Sequence, residues 1–517
     1  MRSILHGIRG YLDRRVLLLT ALGFGSGVPL LLVLSTLTVW LEEAGLTKAG
    51  IAFFSWVGLA WAWKFLWAPV VDRVKIPGLH RWLGHRRAWM LVSQFAIMGG
   101  VLLLSTQDPT QDIRAFALSA ALLAFFSATH DISLDAWRVQ VLDADMQGNG
   151  ASTYQLGYRL AMLATGAGAL ALASVFRQDS ETAATVARGV VDTASGLAAT
   201  LSGTEDSTSF FQNLHMARDV WPKTYRFMSL LMIPAILATL FAPEPKDTIT
   251  REDGAEPEEG SDSDSAPIWE RYPEVDWLSR VKAWPKFARD TFDATLGPFV
   301  EFLYGRGSVA FALLVLTFVL TFRLSDSIAG TLMNPFLIEL GFEYTQIARI
   351  QKVFGFAMTI VGTFVGGALF RSMGAKPTLW VAGFLQVFSN LMFVYQANVG
   401  ADPVALHLTI SVENLSGGLV SGAFVAYLSN LCSHRYSATQ YALLSALAMV
   451  GRIVIAGSTG FIADNYGWDG FFIFSTVAGI PGLLLLWKLS RDPRGFEGQP
   501  GGGVVGDSQS EDQLRTD

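Results

Sequence analysis

Phe125-Phe126-Ser127-Ala128-Thr129-His130-Asp131-Ile132-Ser133-Leu134-Asp135-Ala136-Trp137-Arg138-Val139-Gln140-Val141-Leu142 closes an apolar run that begins near Ile113 and is long enough to cross a bilayer. It nevertheless holds two acids and an arginine. On a helix turning about 100° per residue, Asp131, Asp135 and Arg138 fall within roughly 60° of one another and share one face. That face cannot point at lipid. An ionised side chain at the centre of a spanning helix costs roughly 2.5 to 3.5 kcal/mol on insertion scales, so such groups turn to a polar interior or to each other. Two readings stay open: a structural ion pair that locks helices together, and a titrating or gating group on a transport pathway.

The rest of the chain supports a membrane setting. Of its 517 residues 51% are hydrophobic and 16% charged, too apolar for several soluble domains. The formal charge of -6 reflects acids gathered in one linker and the tail, while basic residues flank the spans, so it implies no nucleic-acid partner. One cysteine, Cys432, excludes an intramolecular disulfide and a thiolate metal cluster. Arg2, Arg9, Arg14 and Arg15 precede an apolar stretch, Val16 to Leu41, longer than a signal-peptide core, which reads as a retained first helix.

At about 20 apolar residues per crossing, spans fall near 16–41, 49–71, 88–106, 113–138, 151–176, 222–242, 308–338, 346–371, 377–397, 403–432, 438–463 and 469–489. The expected fold is an all-α membrane protein of twelve transmembrane helices. Arg73, Lys75, Arg81, Arg86, Arg87, Arg371, Lys376, Lys488, Arg491 and Arg494 share one side, which predicts both termini in the cytoplasm. Residues 1–242 make one six-helix half, with an outside insertion at 177–220 in which Val186 to Leu201 suits a short helix. Residues 243–307 make a cytoplasmic linker, 308–490 the second half, and 491–517 a tail expected to be disordered. The linker opens with an acidic run, Glu252 to Ser265, that cannot bury enough apolar surface to fold. It then turns amphipathic: Trp277, Leu278, Val281, Trp284 and Phe287 alternate with Arg280, Lys282, Lys286 and Arg289. That suits a helix lying on the inner membrane surface, kinked or ended by Pro285, or a plain connector.

The halves look related. Trp40-Leu41-Glu42-Glu43-Ala44-Gly45-Leu46, with Ile51, matches Phe336-Leu337-Ile338-Glu339-Leu340-Gly341-Phe342, with Ile347, after the first span of each half. Secondary transporters are often built so, with the substrate site between the halves. The six-plus-six plan, with Asp72-Arg73 and Gly84-His85-Arg86-Arg87 in the second-to-third loop, resembles the major facilitator superfamily, although Ala68 stands where a glycine is usual and Val74 to Leu83 is inserted. More specific are Lys64-Phe65-Leu66-Trp67-Ala68-Pro69, Asp131 to Arg138, Gly157-Tyr158-Arg159, Glu413-Asn414-Leu415-Ser416-Gly417-Gly418 and Ser437 to Leu447. Together these resemble the AmpG family of muropeptide permeases over roughly residues 16–490.

Depth along each span, at 1.5 Å per residue, makes Lys64, Arg159, Arg323, Asp326, Glu413 and Arg452 mid-membrane candidates, with Asp131, Asp135 and Arg138 toward the cytoplasmic end. Asp131, Asp135, Arg138, Asp326 and Glu413 are candidates for proton coupling or gating. Lys64, Gln155, Tyr158, Arg159, Arg323, Asn414 and Arg452 are candidates for binding substrate, and Asp72, Arg73, Arg86 and Arg87 for a loop gate. Arg323 and Asp326 are spaced to neutralise each other. Lys64, Arg159 and Arg452 leave the set with more positive than negative charge, which favours an anionic solute. The resemblance implies a fitting one, N-acetylglucosaminyl-1,6-anhydro-N-acetylmuramyl peptide, imported through the bacterial inner membrane with protons for peptidoglycan recycling. It implies no cofactor, and a monomer is expected. Another bulky anion such as acetyl-CoA is the alternative, ahead of a non-transporting receptor or a membrane enzyme. For an enzyme, His130 with Asp131 and Asp135 is the nearest approach to a metal constellation, and a lone histidine is not a metal site. No nucleotide-binding loop is present.

Overall fold

A computed structural model of the chain describes residues 7–47, 51, 54–177, 220–245, 266–273, 275–456 and 459–496. Among the described residues there is no strand, and ten helices are long and apolar enough to cross a membrane. Five are Arg14–Glu43, His85–Ser105, Ile113–Val141, Ala144–Arg177 and Val220–Phe241; five are Val309–Glu339, Thr345–Met373, Ala375–Val399, Pro403–Leu431 and Gly460–Leu489. The remaining two expected crossings take other forms. That at 438–463 is the helix Ser437–Ala456. That at 49–71 is a string of short pieces, Ser55–Gly58, Leu59–Trp63, Lys64–Leu66 and Ala68–Arg73. Pro69 accounts for part of the break, since it has no N–H to return to the carbonyl of Phe65.

The likeness between the halves is structural as well as verbal. Helix Arg14–Glu43 ends with Leu46 N–H on the Leu41 carbonyl (3.1 Å) and Gly45 N–H on that of Glu42 (3.0 Å), with Gly45 at φ 81°. Helix Val309–Glu339 ends with Phe342 on Leu337 (3.1 Å) and Gly341 on Ile338 (3.0 Å), with Gly341 at φ 95°. Both are left-handed turns that glycine alone enters without strain. Gly84 and Gly374 open the third helix of each half, and Asp112 and Asp402 cap the fourth by accepting from the N–H groups two and three residues on. The interval from Gly84 to Gly374 equals that from Asp112 to Asp402.

The first and last described stretches, at Gly10 and Gly495, lie with the described linker helices at one end of the bundle, the linker end. The hydrogen bonds that join the halves cluster there. Tyr11 Oη donates to the Phe364 carbonyl at 2.6 Å, Ser152 Oγ to Thr363 at 2.7 Å, Gln140 Nε2 to His434 at 2.7 Å, and Arg371 pairs with Asp145 at 3.2 Å.

Two expectations change. The amphipathic linker is four short helices, Ile268–Arg271, Asp276–Val281, Lys286–Thr295 and Gly297–Tyr304, around a small core of Ile268, Leu278, Val281, Phe292 and Val300. Pro285 separates the second from the third, as its ring requires. The tail, expected to be disordered from Arg491, packs as far as Phe496. Tyr427 Oη donates to the Gly495 carbonyl at 3.0 Å, and the Tyr427 and Phe496 rings lie 5.9 Å apart. The short helix expected at Val186 to Leu201 lies outside the described residues.

Candidate transport site and gate

Asp131, Asp135 and Arg138 do share one face of Ile113–Val141, and that face is buried. Opposite them, the string of short pieces over residues 55–73, expected as the second crossing, holds Lys64 in its one-turn piece, Lys64–Leu66, where the side chain is also buried. Asp135 is the shared anion, 3.5 Å from Lys64 Nζ and 3.3 Å from Arg138 Nη2. The Arg138 guanidinium lies between two aromatic faces, 5.4 Å from the Tyr154 ring and 4.9 Å from the Tyr441 ring, and donates to Ser429 Oγ at 3.3 Å. Tyr441 and Ser429 belong to the second half, so this arginine spans the seam. Asp131 is different: Lys64 and Asp135 are its charged neighbours, and its Oδ1 is buried without a hydrogen-bond partner. Buried polar oxygens are seldom left so, and the exceptions gather where a group works.

A second charged cluster joins the two halves. Arg159, on Ala144–Arg177, has Arg323, Asp326 and Glu413 as charged neighbours, and its Nε is buried with no hydrogen-bond partner. Arg323 and Asp326 form the pair that their spacing foretold, at 3.0 Å. Gln155 and Arg159 line a small pocket with Ser152, Thr363 and Phe364. Tyr158 has Asp131 and Asp135 as its charged neighbours.

Two candidate binders are engaged within the protein. Lys64 is engaged by Asp135. Asn414 accepts from Thr359 Oγ1 at 2.7 Å and donates to its own helix at the Ile410 carbonyl, 3.1 Å away, so its amide is occupied with packing. The side chain of Arg452 lies outside the described ones. Among the described side chains the charges balance, Lys64 and Arg138 against Asp131 and Asp135, and Arg159 and Arg323 against Asp326 and Glu413, so the expected surplus of positive charge rests on Arg452.

At the linker end, Asp72 closes the second crossing and pairs with Arg86 at 2.8 Å, both almost fully buried. Its other bonds cross the seam. Asp72 Oδ2 accepts from the Thr439 N–H (2.9 Å) and hydroxyl (2.7 Å), and Oδ1 from the Ala438 N–H (3.2 Å). An acid of the first half thus caps the helix Ser437–Ala456 of the second, where a negative charge also suits the helix dipole. Arg86 reaches Gln140 Oε1 at 2.9 Å. Arg87 stays within its own half, on the carbonyls of Thr239 and Leu240. Arg73 leaves the loop for the linker and pairs with Asp293. Asp293 also accepts from Arg435 (3.1 Å) and from the Tyr436 hydroxyl (3.0 Å), so one linker carboxylate touches both halves.

The profile of the Major Facilitator Superfamily matches residues 49–456. The anhydromuropeptide permease of Escherichia coli (strain K12) is 33% identical over 480 residues, which cover 93% of this chain and 80% of that one. The chain belongs to the AmpG family of the major facilitator superfamily. Among solved structures, the transporter FucP in its outward conformation superposes with a TM-score of 0.57 at 10% identity, over 93% of this chain and 99% of that one. The proton:xylose symporter XylE gives 0.55 at 11%, over 94% and 96%. At such identities these two speak to the fold alone. The chain is a multi-pass membrane protein.

For this AmpG-family chain, sequence reasoning missed the partners that lie on other elements: Ser429, Tyr441, Thr439, Gln140 and Asp293. Thr439 carried a usable signal, since Ser437-Ala438-Thr439 opens a helix. Asp293 carried none, being one acid among linker charges. His130 proves to be a buried core residue, 3.1 Å from Ser26 Oγ and 3.1 Å from Gln94 Nε2, and among the described residues no group of three metal-ligating side chains forms.

Proposed function

We propose that this chain imports N-acetylglucosaminyl-1,6-anhydro-N-acetylmuramyl peptides across the bacterial inner membrane by proton symport, as a monomer with both termini in the cytoplasm. Kinship with the Escherichia coli permease supports the substrate class. The observation that carries the coupling is Asp131, a carboxylate inside a spanning helix with an unpartnered oxygen beside the Lys64, Asp135 and Arg138 group.

Each charged cluster is balanced when its acids are ionised. A proton on Asp131 or Glu413 tips its cluster to net positive, and the cavity then offers a complement to the carboxylates of a peptide stem, with Arg159 as the cation facing it. Substrate and proton thereby favour each other's binding, as linkage requires. With the linker end in the cytoplasm, the joined halves close the inner mouth, so this state receives substrate from outside. Opening that mouth parts Asp72 from Thr439 and Arg138 from Ser429 and Tyr441. A freed Arg138 can then settle on the acids, and a nearby guanidinium favours the ionised carboxylate. The proton leaves toward the cytoplasm.

The test is uptake of labelled anhydro-muropeptide into proteoliposomes of the purified protein, with and without an imposed pH gradient, in competition with acetyl-CoA. Gradient-dependent uptake that acetyl-CoA leaves unchanged is the expected result. Uptake indifferent to the gradient overturns proton coupling, and competition by acetyl-CoA overturns the substrate.

A further inference from the structure

The linker presents an exposed surface of aromatic and basic side chains. All six residues of Lys282-Ala283-Trp284-Pro285-Lys286-Phe287 are exposed, Phe287 to 83% and Trp284 to 47%. The small core beneath explains the arrangement. Helix Asp276–Val281 spends Leu278 and Val281 on it, and helix Lys286–Thr295 spends Phe292, so the turn between them has no apolar partner left to cover it. Trp277 and Trp284 brace this turn edge-on against Phe292, at 6.0 and 5.8 Å, which keeps both rings at the surface. Around the rings stand Arg280, Lys282 and Lys286, all exposed; Asp276 and Asp290 are the exposed acids of the same two helices.

We propose that this turn is a docking surface for the acidic phospholipid headgroups of the leaflet at the linker end. Two arguments select that occupant. The first is complementarity: tryptophan and phenylalanine beside lysine suit the interfacial layer, where rings sit at headgroup depth and ammonium groups reach phosphate. The second is place. Phe292, against which both tryptophans rest, adjoins Asp293, and Asp293 holds Arg73, the last residue of the second crossing. The linker also continues through Gly297–Tyr304 into the spanning helix Val309–Glu339. The turn is thus tied at two points to chain that is leaving the bilayer. Bound lipid would hold the linker, and through Asp293 the closed inner mouth, against the membrane, making closure sensitive to lipid charge. The docking itself rests on the linker's surface and not on the identity of the transported solute.

The experiment uses full-length protein carrying Ala283→Cys, labelled with an environment-sensitive fluorophore, in nanodiscs of phosphatidylcholine alone or of equal parts phosphatidylcholine and phosphatidylglycerol. Cys432 is buried and is replaced by serine to keep labelling single. The expected result is a blue shift and a several-fold fall in iodide quenching in the phosphatidylglycerol discs. Both should be lost in Lys282→Glu/Lys286→Glu, and also in the milder Lys282→Gln/Lys286→Gln, which guards against misfolding. A probe equally open to iodide in both discs overturns the proposal and leaves the turn free for a soluble partner. Equal shielding in both discs, unchanged by charge reversal, overturns the acidic-lipid selectivity.

Discussion

Asp72 and Thr439 belong to different halves of the chain, yet the carboxylate of one accepts from both the backbone N–H and the hydroxyl of the other, at 2.9 and 2.7 Å. A helix cap contributes about 0.5 to 2 kcal/mol. Here the contribution exists only while the linker end is closed, so it biases one state of the cycle over the other. Asp72→Asn should therefore raise the population open at that end roughly tenfold, the equivalent of about 1.4 kcal/mol. Labelling of Ser437→Cys by a membrane-impermeant maleimide reads this directly. An unchanged labelling rate would remove Asp72 from the gate.

Asp131 and Asp135 should part company on neutralisation. Asp135→Asn strands Lys64 and Arg138 in a buried site, and breaking such a pair costs roughly 3 to 5 kcal/mol, so this variant should lose thermal stability in detergent. Asp131→Asn strands no cation at ion-pair distance. It should keep its melting temperature and lose the response of uptake to a pH gradient. Equal loss of stability in both variants would assign Asp131 a structural role.

Arg323→Ala should harm uptake more than Arg323→Ala combined with Asp326→Asn, because the single change leaves a carboxylate facing Glu413 without its partner. A double variant no better than the single one would show that the pair does not act as a unit.

Gly417 and Gly418 are adjacent, but their surroundings differ. A Cβ on Gly418 would overlap the Thr359 carbonyl of the neighbouring helix, whereas one on Gly417 would meet Gln386 Oε1 at 3.4 Å. Close backbone approach of this kind is what small residues provide between membrane helices. Gly418→Ala should lower folded yield severalfold and Gly417→Ala should be tolerated, as size-exclusion profiles would reveal.

The Asp293 joint should be indifferent to mild acid. Burial alone would raise its carboxyl, but Arg73, together with Arg435, outweighs that and holds it below its ordinary value of 3.8. A depressed value means that the stabilisation is full above the ordinary carboxylate range and is lost only as pH falls through the lowered value. Protease sensitivity of the linker should thus be flat from pH 7 to about pH 5, and Asp293→Asn should raise it throughout that range. A rise in the wild type on mild acidification would contradict this.

The ten spanning helices and the repeated turn were legible because hydropathy and turn pattern act over many residues at once. Asp131, Asp135 and Arg138 were legible as a set because they share one helix, and Arg323 with Asp326 for the same reason. The pairing of Lys64 with Asp135 was not legible, because the two lie on different helices and periodicity describes one helix at a time. Nor was the hydrogen bond from Thr359 to Asn414, which depends on how two helices lean together. The break in the second crossing was signalled by Pro69 yet passed for a span, since length and apolarity outvote one proline in any window count.

The matched caps of the two halves have a consequence for descent. Carrying the interval between Asp112 and Asp402 along the fourth helices sets Ser421, Val425 and Leu428 against Asp131, Asp135 and Arg138, and Leu123 against Glu413. The copies kept their joinery and parted in their electrical equipment. A duplicated carpentry with unlike wiring gives each half its own trade: the same frame can be exchanged between them on paper, but a chimera of two first halves would meet its own charges across the seam and would have no Thr439 for Asp72 to hold.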